Sequence, residues 1–294
     1  MSVNPNWNAG ELEQIIRTWL ADESNHENLV VQPTAEIESY LSRHGESDGG
    51  DAASELLWIF LWRLRQALID LLDEKPDAPA DMNRAHLYDF WRFRIRSAIF
   101  LQAAGRKRRA AFRFSEAGLL MAHALALGRF DEAATVGRIL AAGIAEGMVS
   151  GEGVSVLGSF MVQLYCRWRR QPLPQYRSEA ADPGDYRRLL DTWSLQDEVA
   201  FAAAVEAACD FHTQLSGDLD NEQYYEYTNE AWRLYPVEIL AVLRLRQALG
   251  LNVPEISHPL LDSPLGVLYD PQSPPPDPLL QRVIEKYRAE LPAL

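Results

Sequence analysis

The hydrophobic period is what most limits how this chain can fold. Apolar side chains recur at helical spacing from end to end, and no two-residue alternation bounded by turn residues is sustained anywhere. A chain patterned this way buries its apolar stripes by packing helix on helix. The fold class is therefore all-α, with about ten helices packed as antiparallel hairpins. Start and stop residues place them. Helices are expected over Glu11–Asp22, from a Thr34 cap through Ser42, and over Asp51–Glu74, Asn83–Ala104 and Arg106–Leu127. Further helices run from Asp131 to near Gly147, over Gly153–Arg170, and from a Ser194 cap to Ser216. Asp220 with Gln223 makes a capping-box-like start for a helix to about Leu234, and Pro236 opens the next one, which Gly250 closes. Residues 252–278 carry eight prolines and read as an extended C-terminal tail before a last helix over Leu279–Glu290.

Length and composition narrow the class further. The 294 residues are 47% hydrophobic and 24% charged, the composition of an ordinary globule with ample core. The expectation is one all-α domain over 1–294. A sub-boundary is allowed near 172–183, and the N-terminal helices 1–75 could pack as a subdomain. The most apolar run, Leu56–Leu72, is broken by Arg63, Arg65, Gln66 and Asp70, so it fails as a membrane span. The N-terminus has no basic and apolar signal pattern, which makes a cytoplasmic location the expectation. Cys166 and Cys209 both fall in expected helices and read as small buried hydrophobes.

Charge is unevenly spread. The net charge of −14 comes from strongly acidic ends around a basic middle block, with eight basic and no acidic residues between Asp89 and Glu116. The acidic total argues against nucleic acid or anionic membrane as partner and suits a basic protein. The basic block, with its run Arg106–Arg109, is read as neutralising the acidic flanks, with a phosphate-binding surface as the alternative. In the C-terminal third, Glu222, Glu226 and Glu230 recur every four residues, among Tyr224, Tyr225, Tyr227, Trp232 and Tyr235. On one helix these glutamates would stack along a single face. An acidic face edged with tyrosine and tryptophan suits a basic partner, and Asp218 and Asp220 extend it. The candidate partner-binding residues are thus Asp218, Asp220, Glu222, Tyr225, Glu226 and Glu230.

No catalytic set is assigned. His212 shares a helix with Glu206, Cys209 and Asp210, but a two-residue separation puts His212 and Asp210 on different faces. His86 and Asp89 are three apart, as helix-surface pairs often are. His123 reads as a core histidine. Gly151-Glu-Gly153 with Gly158 lacks the preceding strand and following lysine of a phosphate loop and reads as a helix restart. No metal or cofactor is expected, and the chain is read as not an enzyme.

Leu125-Ala-Leu-Gly-Arg-Phe-Asp-Glu-Ala133 resembles the turn of a tetratricopeptide-type hairpin, without a second copy one repeat away. Three C-terminal stretches carry a broader resemblance: Asp220-Asn-Glu-Gln-Tyr-Tyr-Glu-Tyr, Glu230-Ala-Trp-Arg-Leu-Tyr-Pro-Val-Glu-Ile-Leu and Ser257-His-Pro-Leu-Leu-Asp-Ser-Pro-Leu-Gly266. With the helix–Gly–helix segment Arg106–Gly147, they are similar to the all-α immunity proteins of bacterial polymorphic toxin and type VI secretion systems. The resemblance implies a cytoplasmic inhibitor that occludes a cognate toxin's active site. A helical adaptor for peptides and an all-α enzyme built on His212, Glu206 and Asp210, or on His86 and Asp89, remain the alternatives.

Overall fold

The computed structural model describes residues 2–43, 50–103, 110–177, 179–218 and 224–291. They are predominantly helical, with one parallel sheet of two two-residue strands, so the fold is all-α. The chain falls into two compact units: residues 1–15 with 112–271, and residues 16–111 with 272–294. The stretch 172–183 lies inside the first of these.

The unit formed by 16–111 and 272–294 is built on a helical hairpin. α1 (Ala9–Ala21) ends in it, and α2 (Glu23–His26) runs without a break through a π-helical turn, Glu27–Val31, into α3 (Gln32–Ser42). α4 (Gly50–Leu72) and α5 (Ala78–Gln102) form the hairpin, and α3 packs on α4. The polar stripe on α4 is paired. Asp73, just past its end, meets Arg17 at 2.6 Å, and Asp70 accepts from Gln66 at 2.9 Å and Lys75 at 2.7 Å. Asp89 and Arg92 form a buried ion pair at 2.7 Å along α5.

The larger unit surrounds two helices that are buried on nearly every side. α6 (Phe114–Ala126) and α7 (Phe130–Glu146) form the expected hairpin, and Gly128 at φ +73° makes the turn. Strand β1 (Phe112–Arg113) pairs in parallel with β2 (Val149–Ser150). α8 (Val156–Arg169), α9 (Tyr186–Thr192), α10 (Glu198–Gln214), α11 (Glu230–Leu234) and α12 (Val237–Ala248) complete it. α6 packs against α7, α8 and α12. Its approach to α8 is close enough that a Cβ on Gly118 would lie 3.2 Å from Gly158 Cα.

α12 has no solvent face, since every residue from Val237 to Arg246 is buried. It nevertheless carries Glu238, Arg244 and Arg246, and each has polar partners on neighbouring segments. Arg246 donates to the Leu195 carbonyl at 2.6 Å and the Trp193 carbonyl at 3.2 Å, with its guanidinium 4.2 Å over Phe201. Arg244 donates to the Ala126 carbonyl at the end of α6 and to Tyr269 O. It thereby fastens the proline-bearing segment to the helix end, where the unpaired carbonyls of a C-terminus favour a cation. Among the described residues, Pro264–Gly266 is the helical turn within 251–277. α13 (Pro278–Glu290) belongs to the other unit, packing on α3 and α5, with Arg282 held bidentately by Glu38 at 2.7 Å.

Sequence and structure part at several helix starts. α10 begins at Glu198, capped by Asp197, whose side chain accepts from Ala200 N at 2.9 Å. The cap is thus Asp197 and not Ser194, three residues earlier. α9 has no counterpart in the sequence reading, and of the expected helix over 220–234 the described residues 224–229 are not helical while Glu230–Leu234 is. Cys166 and Cys209 are buried and unpaired. No helix among the described residues is long and apolar enough to cross a membrane.

Candidate partner-binding site

Of the residues expected to form one acidic helical face, Glu226 and Glu230 do not share a helix. Asp220 and Glu222 lie outside the described residues. Residues 224–229 precede α11 and are not helical. Tyr227 N donates to the Leu215 carbonyl and Gly217 N to the Tyr227 carbonyl, both at 3.1 Å, so this stretch runs extended beside the end of α10. Asn229 then caps α11 by accepting from Ala231 N.

The cause is a buried polar network that outweighs local helix preference. The Tyr227 ring stacks on His212 at 4.1 Å between centroids, and its hydroxyl lies 2.9 Å from that of Tyr186. The Tyr186 hydroxyl donates to Glu238 Oε1 at 2.9 Å, and His212 Nδ1 donates to the same oxygen at 2.8 Å. His212 and Glu238 are fully enclosed. Burial drives the Tyr186 and Tyr227 hydroxyls well above their ordinary titration range, so both stay protonated as donors. Three side chains from separate elements thus converge on Glu238 and hold one arrangement, although Glu238 Oε2 is itself buried with no hydrogen-bond partner.

Glu226 is the clear correction to the sequence reading. It is 6% exposed and therefore cannot present charge to a partner. It accepts a short hydrogen bond from Ser155 Oγ, which in turn accepts from Gly158 N at 2.9 Å as the N-cap of α8. The Tyr224 hydroxyl and the first backbone N–H groups of α8 also favour its ionised form. Burial opposes them and wins, raising the carboxyl to about 7. Its second oxygen, Oε2, is buried with no hydrogen-bond partner.

The other expected residues that are described stay accessible. The Asp218 carboxylate is 89% exposed and pairs with Arg233 at 2.7 Å. Tyr224 is exposed, and Tyr225 and Glu230 are half-buried. Asp218 and Tyr225 share a polar recess of about 260 Å³ with Arg233 and with Asn4, Asn6 and Asn8 of the N-terminal segment. That segment is tied down: Asn4 N donates to Thr213 Oγ1 and Trp7 Nε1 to the Arg233 carbonyl, both at 2.9 Å. Arg233 and the asparagines were not singled out in the sequence, where nothing links positions some 220 residues apart.

The groupings weighed for catalysis are dispersed. His212 is held by Glu238, whereas Asp210 faces His258 at 3.3 Å. Glu206 is exposed, and Asp89 is taken up by Arg92. Among the described residues no cluster of three or more His, Cys, Asp or Glu side chains could hold a metal. Comparison with family models, with curated proteins and with solved structures finds no match, so the site is read on its own chemistry.

Proposed function

We propose that this chain is a binding protein whose acidic, tyrosine-bearing edge engages a basic protein. Its biological form, on the resemblance of the C-terminal stretches, would be neutralisation of a cognate antibacterial toxin in the cytoplasm by covering the toxin's active site. One observation carries the reading. Asp218 and Tyr224 stand exposed, and close behind Tyr224 the chain is anchored, Glu226 by Ser155 and Tyr227 in the buried network. Exposed side chains beside anchored backbone lose little conformational freedom on binding, which is what lets a modest surface bind tightly. Tyrosine supplies contact area, and exposed carboxylates steer a basic partner toward it.

The test is capture of a partner from lysate of the source cell, with wild type and with Asp218→Lys/Glu222→Lys/Glu230→Lys as baits. The reading predicts one stoichiometric basic partner that survives a high-salt wash, loses its toxicity in the complex and is not retained by the variant. Many weak partners shared equally by both baits would contradict it. Glu226 stays unmutated because reversing a buried carboxylate would disturb the fold itself.

A further inference from the structure

The unit of α4 and α5 contains a second recess, unrelated to the acidic edge. It has a volume of about 310 Å³, within the range of small-molecule sites. His26, Trp62, Arg63, Gln66, Asp81 and Arg84 line it. Two guanidinium groups in one small cavity are unusual in an acidic protein, and these two are poorly matched. Arg63 reaches Asp277 only at 3.4 Å and Arg84 reaches Asp81 only at 3.5 Å. Elsewhere arginine–carboxylate pairs close to 2.6 or 2.7 Å, as in Arg17–Asp73, Arg92–Asp89 and Arg187–Asp182. Arg63 Nε and Arg84 Nε are moreover buried with no acceptor. A buried donor left unmet is costly, so two of them at one cavity offer sites for an acceptor.

The surroundings limit which anion fits. Asp81 and Asp277 formally offset the two arginines, so the recess suits a single carboxylate shared by both guanidinium groups and not a polyphosphate. The Arg63 guanidinium lies 5.0 Å over the Tyr88 ring, whose hydroxyl donates to Asp277 at 2.9 Å, so ring and carboxylate together hold its plane in place. Trp62 is half-buried and braced by Trp19 at 5.5 Å and by the His26 edge at 5.0 Å, so its indole is a fixed apolar wall. On the far side of Trp62 and His26 a neighbouring recess carries Glu23 and Glu27, which repel an anion and set its direction. The wall beside His26 and Val30 is the π-helical turn Glu27–Val31, a strained backbone form that recurs at functional sites.

We propose that this recess binds a small aromatic carboxylate, its anionic end on Arg63 and Arg84 and its ring against Trp62. The inference is independent of the partner-binding reading. The experiment is calorimetric titration of the full chain with indole-3-carboxylate, with indole-3-carboxamide as the uncharged isostere and inorganic phosphate as the anion without a ring. Saturable 1:1 binding of the carboxylate is expected, at least tenfold tighter than either control. Arg84→Gln, on a half-exposed side chain whose loss the fold tolerates, is expected to weaken it at least tenfold, with circular dichroism unchanged. Trp62→Leu should weaken the carboxylate while leaving any phosphate binding as it was. Absence of carboxylate binding, equal binding of the carboxamide, tighter binding of phosphate, or an unchanged affinity in Arg84→Gln would each overturn the proposal.

Discussion

Glu226 shows how a residue can be legible as charged and illegible as buried. Its spacing from Glu222 and Glu230 fits a helix face, but spacing carries no information about Ser155, which lies 71 positions away and holds it. The signal available was the cluster Tyr224, Tyr225 and Tyr227, since consecutive aromatics favour extended backbone over helix. The burial has a measurable consequence. A carboxyl raised to about 7 when folded, against 4.5 when unfolded, keeps its proton in the native state across that interval after the unfolded chain has released it. Its contribution to stability is therefore fully present below about pH 4.5 and is lost as pH rises through about 7, at about 1.4 kcal/mol per pH unit within the window. Glu226→Gln, which imitates the protonated form, should melt close to wild type at pH 5 and above it at pH 8. A melting difference that does not vary with pH would show that the carboxyl titrates normally. Ser155→Ala removes both the α8 cap and the donor to Glu226, so a loss of at least about 1 kcal/mol in denaturant unfolding is expected. Its effect should not add to that of Glu226→Gln, because the two side chains act as one unit.

The long helices were readable because each has a full apolar stripe and recognisable ends. α4, α7, α12 and α13 fall within a few residues of where period and punctuation put them, and Gly147 at φ +72° closes α7 as a left-handed glycine should. The short pieces were not. α9 is seven residues, and β1 and β2 are two each, too few for any period to register. The buried charges of α12 were also invisible, because Glu238, Arg244 and Arg246 gain their partners from α6, α9, α10 and the loops around them. Close packing of α6 and α8 yields a prediction in which two effects oppose. Gly158→Ala should gain up to about 1 kcal/mol of helix propensity. The added Cβ would however lie 2.5 Å from the ring of Phe114, a fully buried residue with no room to withdraw. Overpacking of this kind costs about 1–3 kcal/mol, so net destabilisation is expected, seen as a lower urea midpoint at unchanged slope. A raised midpoint would mean that the two helices can move apart without cost.

For the chain as a whole, the all-α class followed from its periodicity, whereas the division into two units did not. Each unit is assembled from segments far apart in sequence, 1–15 with 112–271 and 16–111 with 272–294, so no linker marks a boundary. The charge map was readable as arithmetic but not as a surface. Many charges on the described residues are taken up in pairs such as Arg282–Glu38 and Arg17–Asp73, and Asp218, though paired with Arg233, keeps its carboxylate open to solvent. An association steered by such carboxylates should slow several-fold in on-rate between 50 and 500 mM salt, roughly as screening shortens the reach of exposed charges, while the off-rate changes less. The account rests on the acidic edge being the binding surface. Its most direct test is capture by wild type and by Asp218→Lys/Glu222→Lys/Glu230→Lys, side by side, with both baits shown to melt alike. Retention of a single basic partner by wild type and its loss from the variant is the result predicted. Equal retention by both would contradict the account and place the interface elsewhere on the molecule.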